Sequence, residues 1–131
     1  MNGTVNMIDF SSASIFKLKP INISEARPDF LKFLIDGETI FAAFKTIRDQ
    51  VIFTNKRIIA ANVQGLTGSK VDYTSLPYSK IQAFSVETSG TLDLDCEIEV
   101  YLSEVGKVKF EIRGSFELLT FNKYISTYVL A

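Results

Sequence analysis

The sequence predicts a mainly β domain of seven antiparallel strands followed by one C-terminal α-helix, with a short helix ahead of the first strand. Three observations carry this reading. From residue 38 onward, short runs rich in Ile, Val, Phe, Thr and Tyr are punctuated by turn residues about every eight to twelve positions. The connections are too short for crossovers, so neighbouring strands pair antiparallel. After Gly114 the apolar residues return at spacings of three and four, which is a helical period. A chain of 131 residues is one domain, large enough to bury about two-thirds of its extended surface without disulfides or metal.

Residues 1–36 read as a lead-in with a short helix, and residues 37–131 as the domain proper. The first twenty residues are rich in Ser, Asn and small side chains, with Ile15, Phe16 and Leu18 as the concentrated apolar group, and so read as extended. Ser24 suits an N-cap, Glu25 follows it, Pro28 fits near a helix start, and Phe30, Leu31, Phe33 and Leu34 supply an apolar face. Asp36-Gly37 ends it, which predicts a helix over about residues 25–35. The seven strand runs are 38–47, 50–54, 57–63, 70–76, 81–88, 94–102 and 107–113. Ser115 then caps a segment in which Leu118, Phe121, Ile125 and Tyr128 form one stripe, predicting a helix over about 115–130.

The last two runs constrain geometry most. Leu94, Cys96, Ile98, Val100 and Leu102 alternate with charged or polar residues, as do Val108, Phe110 and Ile112. One face is core and the other water. A one-residue slip would invert both faces, leaving two registers. One places Tyr101 opposite Lys107, Glu99 opposite Lys109 and Asp95 opposite Arg113; the other places Tyr101 opposite Lys109 and Glu97 opposite Arg113. The first is preferred because it sets opposite charges across the hairpin.

Composition removes several function classes. Fourteen basic against fifteen acidic residues give a net charge of −1, so no whole-chain positive field gathers nucleic-acid phosphates. The chain has no histidine and one cysteine, Cys96. Serine-histidine and cysteine-histidine catalysis, cysteine-histidine metal clusters and an internal disulfide are therefore excluded. The N-terminus lacks a basic region followed by an apolar run, and no uncharged apolar stretch approaches about 20 residues. The expectation is a cytoplasmic protein that is not an enzyme and takes no cofactor.

The acidic row Asp93, Asp95, Glu97 and Glu99 lies on the wet face of one strand, spaced about 7 Å apart and opposed by a basic row. It lacks the glycine turn of a calcium loop and reads as structural. Cys96 belongs to the apolar face, where burial suppresses its thiolate. Gly65-Leu66-Thr67-Gly68-Ser69-Lys70 has the wrong spacing for a phosphate loop and precedes a strand, so it reads as a turn. Lys45, Arg48, Lys56 and Arg57 lie at or beside the first two turns and form the candidate contact for an anionic headgroup or phosphorylated peptide. Asp49 in the same turn counts against it.

Residues 37–130 carry motifs that resemble the bacterial pleckstrin homology (PH) domains. They are Gly37-Glu38-Thr39-Ile40, Arg48-Asp49, Val51-Ile52-Phe53-Thr54-Asn55-Lys56-Arg57-Ile58-Ile59, Gln64 to Lys70, Pro77-Tyr78-Ser79-Lys80, Ile81 to Thr88 and Asp93-Leu94-Asp95; Leu76 precedes Pro77-Tyr78 where the family has Ile. The resemblance implies a seven-stranded, strongly bent antiparallel barrel or sandwich closed at one end by the C-terminal helix. It also implies a binding or assembly module without enzymatic activity or cofactor, in a group associated with ring-like homo-oligomers. Eukaryotic PH domains often bind phosphoinositides through a basic first loop; here that loop is Arg48-Asp49, too short and mixed in charge for the same pocket.

The expected function is therefore a module that self-associates and presents a surface to a protein or peptide. A positive mean hydropathy of +0.17 and open sheet edges support it. Ile15, Phe16, Phe30 and Phe33 are the candidate oligomer contacts. The rival reading is a peripheral binder of anionic lipid headgroups through Lys45, Arg48, Lys56 and Arg57.

Overall fold

The computed structural model describes residues 17–90 and 95–131. Eight strands form one open sheet in the order β5-β4-β3-β2-β1-β8-β7-β6. They are β1 (Lys17–Ile21), β2 (Ile40–Lys45), β3 (Gln50–Thr54), β4 (Arg57–Gln64), β5 (Lys70–Pro77), β6 (Ile81–Thr88), β7 (Cys96–Leu102) and β8 (Gly106–Ile112), and α1 (Leu118–Val129) follows. All pairings are antiparallel except β1 with β8.

The seven expected strands are present, and an eighth, β1, precedes them. It joins the two halves of the sheet, pairing with β8 through Lys17 and Leu18 and with β2 through Lys19, Pro20 and Ile21. Pro20 has no N–H to donate, and it stands where only the β2 side carries a ladder. Strand β2 is shorter than the run that predicts it: Ile47 lies in the turn beyond Lys45. The register of β7 and β8 is the preferred one, with Tyr101 opposite Lys107 and Glu99 opposite Lys109.

The helix expected over 25–35 does not form. Its place is taken by two short stretches of 3-10 helix, Ile23–Glu25 and Pro28–Lys32. Pro28 forces Arg27 into an extended conformation (φ −52°, ψ 127°), which breaks the segment in the middle. Asn22, not Ser24, is the N-cap, and its N–H donates to Glu25 Oε1 at 2.8 Å. Helix α1 begins at Leu118, three residues later than expected. Ser115 does not cap it, because Phe116 is turned inward against Phe44 and Phe121, with centroids 5.7 and 5.8 Å away.

Apolar side chains fill two clusters. The larger lies between the sheet halves and under α1, which contributes Leu118, Phe121 and Ile125. Strand β2 has a bulge at Phe41, between Ile40 and Ala42, so Phe41 and Ala42 both meet this core. The smaller cluster lies on the other face of the first half-sheet. Ala43, Ile52, Ile59 and Ala61 form a shallow floor there, and Phe30 plugs it with no exposed surface. Residues 22–36 are thus a strap over a second core.

Candidate functional site

The turn between β3 and β4 explains what the Thr54-Asn55-Lys56-Arg57 motif does. The Thr54 hydroxyl accepts the N–H groups of Lys56 and Arg57, each at 3.0 Å, and donates to Glu38 Oε2 at 2.6 Å. The Asn55 side chain pairs with the backbone of Gly37 and Thr39. Arg57 grips Glu38 with Nε and Nη2, both at 2.9 Å, and also donates to Ser75 Oγ and the Phe33 carbonyl. The Glu38 side chain is fully buried while that of Arg57 is 22% exposed. Burial alone would raise the Glu38 pKa; the hydrogen bonds of Arg57, Thr54 and the Ile35 N–H, with the Arg57 charge, hold it below the ordinary carboxylate value instead. The cluster clamps the strap to β3, β4 and β5.

Arg57 is therefore a structural residue, and the four expected anion contacts do not converge. Lys45 and Arg48 lie at one end of β3, Lys56 and Arg57 at the other, about 17 Å apart along five residues. Arg48 Nη2 donates to the Gly65 carbonyl, bringing the β2–β3 turn against the β4–β5 turn. Lys45 acquires a different neighbour: Lys19 of β1 stands directly opposite it. Among the described residues neither lysine is in an ion pair. The sequence held no signal for this juxtaposition without β1.

Of the expected oligomer contacts, Phe30 is buried within its own chain and offers no surface to a partner, because its ring fills the floor of small residues beneath the strap. Phe33 is 43% exposed, its ring 4.5 Å from that of Tyr73 on edge strand β5. Ile15 and Phe16 lie outside the described residues, as does Asp93 of the acidic row.

The remaining acidic residues are absorbed by cross-strand pairs. Lys109 is 3.7 Å from both Glu97 and Glu99, and Arg113 is 3.8 Å from Asp95. Among the described residues no group of three metal-ligating side chains converges. Cys96 is buried, and that burial, with the Asp95 and Glu97 charges, pushes its thiol up to about 11.

Two features escaped the sequence reading. A groove of about 320 Å³ runs between the end of β1, β2 and α1, lined by Pro20, Ile23, Phe41, Phe44, Phe116 and Tyr124 among others. Beside it Tyr124 and Tyr128 stack, and Tyr128 stacks in turn on Tyr78. The Tyr78 hydroxyl is buried without a hydrogen-bond partner among the described residues, and burial drives its pKa well above the ordinary phenol value.

An open, mostly antiparallel sheet folded over one C-terminal helix is the architecture of a PH-type domain. The chain belongs to the bacterial PH domain family, whose model matches residues 9–129. It is similar to a family protein with a pleckstrin homology domain from Shewanella loihica PV-4, at 33% identity and TM-score 0.71, covering 87% of this chain and 98% of that one. A pleckstrin homology domain from Shewanella amazonensis SB2B matches at 34% identity and TM-score 0.60, covering 85% and 90%. In Bacillus subtilis (strain 168), the uncharacterized protein YjqA is 41% identical over 83 residues, which is 63% of this chain and 66% of YjqA. YozO is 39% identical over 62 residues, 47% of this chain and 54% of YozO. The matched stretch thus spans less than two-thirds of either curated relative. No helix among the described residues is long and apolar enough to cross a membrane.

Proposed function

We propose that the domain is a non-enzymatic assembly and binding module whose copies join head to tail through the two free edges of the sheet. The observation that carries this reading is the open sheet itself: among the described residues β5 and β6 end it, and the two edges are different surfaces. An unpaired edge is a row of backbone donors and acceptors that another strand can satisfy. When unlike edges meet, the contact is heterologous and generates a ring if the rotation closes. The β5 edge has apolar company, with Phe33 lying on Tyr73 and exposed Leu31 and Ile35 beside Phe33 in the strap. Strand β6 turns Ile81, Phe84 and Val86 toward the larger core and leaves Gln82, Ala83 and Ser85 exposed. The aromatic groove between β2 and α1 is then the surface offered to a protein or peptide, repeated once per copy.

Light scattering over a hundredfold dilution series tests assembly. The expected result is a stable multiple of 14.7 kDa, lowered by Phe33→Glu, which puts a charge at the β5 edge without emptying either core. A monomer at every concentration would overturn the reading.

A further inference from the structure

We propose that Met7-Ile8-Asp9-Phe10 of the same chain sits in the aromatic groove between β1, β2 and α1, as a tethered occupant that a partner must displace. This assigns a regulation to the groove and rests on reading it as a docking surface. Apolar and aromatic side chains dominate its lining, and Glu117 is the one charged residue among them. Ile23 and Tyr124 on its walls are 46% and 45% exposed, so substantial apolar surface faces outward there. At about 320 Å³ the groove falls at the small end of the roughly 300–1,000 Å³ range of ligand clefts. That size suits the side chains of a short extended segment and not a packed helix.

The chain supplies such a segment next to the groove. Sixteen residues precede Lys17 and lie outside the described residues. They include Val5, Met7, Ile8, Phe10, Ile15 and Phe16 and carry one charged side chain, Asp9. In an extended chain Ile8 and Phe10 fall on one side and Asp9 on the other. Two apolar groups can then enter the groove while the carboxylate faces away from Glu117. The match to the bacterial PH model begins at residue 9, ahead of β1, so the family's domain reaches into this segment.

The distances close. The Arg113 N–H donates to the Leu18 carbonyl at 2.8 Å, which sets the start of β1 beside the 113–117 connection. Phe116 and Glu117 of that connection form one wall of the groove. Pro20, on another wall, stands opposite Phe44 and about 10 Å along the strand from Lys17. Residues 11–16, Ser-Ser-Ala-Ser-Ile-Phe, span at most about 20 Å, enough to reverse direction at Lys17 and deliver Phe10 to the groove mouth between Pro20 and Phe116. A short tether gives a roughly millimolar local concentration, which favours the chain's own segment over that of a second copy in dilute solution. A partner's apparent dissociation constant then rises as the open fraction of the groove falls.

The chain has no tryptophan, so Phe10→Trp in the full chain gives a single emitter that reads its own surroundings. The expected emission lies at shorter wavelength than in the urea-unfolded protein, stays there on extended dilution, and moves to longer wavelength when Thr120→Arg is added. Thr120 is an exposed lining residue on α1, so an unchanged thermal melt establishes that this variant folds. Fluorescence polarisation with a labelled synthetic peptide copying residues 1–16 reads the competition. Ile8→Ser with Phe10→Ser should bind it about tenfold tighter than the wild type, the ratio that a roughly millimolar tether gives against an intrinsic dissociation constant of about 0.1 mM. Solvent-like emission from the folded Phe10→Trp chain, or emission indifferent to Thr120→Arg, overturns the proposal. Emission that moves to longer wavelength on dilution also overturns it, by seating the segment on a second copy. Equal peptide binding by the wild type and the serine pair, abolished by Thr120→Arg, would overturn the tether and keep the groove as a docking surface; binding by neither would remove both.

Discussion

Replacing Arg57 by Met separates the Glu38 clamp from the rest of the fold and has a predicted pH signature. Methionine keeps most of the aliphatic volume but removes both donors to Glu38 and the bonds to Phe33 and Ser75. Glu38 is then a buried carboxylate retaining only the Thr54 hydroxyl and the Ile35 N–H. Breaking a buried pair from one side costs about 3–5 kcal/mol; because Arg57 is 22% exposed and water can enter beside it, the expected loss at pH 7 is about 2–4 kcal/mol. For a domain of this size that lowers Tm by roughly 10 °C. In the wild type the folded pKa of Glu38 is depressed, so its contribution is complete above the unfolded carboxylate value and fades as pH falls through the folded one. In the variant burial dominates and the folded pKa rises, so the native state takes up its proton first. The penalty is therefore largest near neutrality and shrinks as pH falls toward about 4. Urea melts at several pH values measure it, and Arg57→Met with Glu38→Gln should recover part of the loss at pH 7. A penalty under about 1 kcal/mol, or one constant across this range, would refute the assignment of Glu38 as a buried charge held by Arg57.

Two further predictions concern the cores. Phe30→Ala empties the socket formed by Ala43, Ile52, Ile59 and Ala61 and should cost about 3–5 kcal/mol, with proteolysis appearing first within residues 22–36; a loss below about 1 kcal/mol in urea melts would mean that the strap does not depend on this plug. Tyr78→Phe removes a buried hydroxyl that has no partner among the described residues, so it should stabilise by about 1 kcal/mol. Destabilisation in the same melts would reveal that the hydroxyl is satisfied in solution.

Strands β2 to β8 are legible in the sequence because each alternates or runs apolar between turn residues, and cross-strand charge alone selects the β7–β8 register. Strand β1 is not. Lys-Leu-Lys-Pro-Ile offers two apolar residues and a proline, and it becomes a strand because two other strands leave a gap that it fills, which is a tertiary cause. The apolar spacing of Phe30, Leu31, Phe33 and Leu34 imitates a helix, yet Pro28 stops one from forming; Phe30 is fully buried, Leu34 packs partly against the same core, and Leu31 and Phe33 stay exposed. The candidate site suffers from the same gap. Lys45, Arg48, Lys56 and Arg57 are close in sequence, but a strand separates them into pairs, and only the fold shows that Arg57 is consumed by Glu38. Ile47 reads as the end of a strand because apolarity continues there, and its full exposure follows from the turn closing two residues earlier.

The parallel seam between β1 and β8 sets an order of events during synthesis. Lys17 pairs with Glu111, about 90 residues later in the chain, which at ordinary elongation rates is roughly 5–20 s. Over that interval the β2-to-β5 meander can assemble from local hairpins, while β1 has only its β2 side to lean on. Any nascent or truncated chain lacking residues 106–112 leaves that flank without its neighbour, and it is in this window that contact with another copy would be most hazardous.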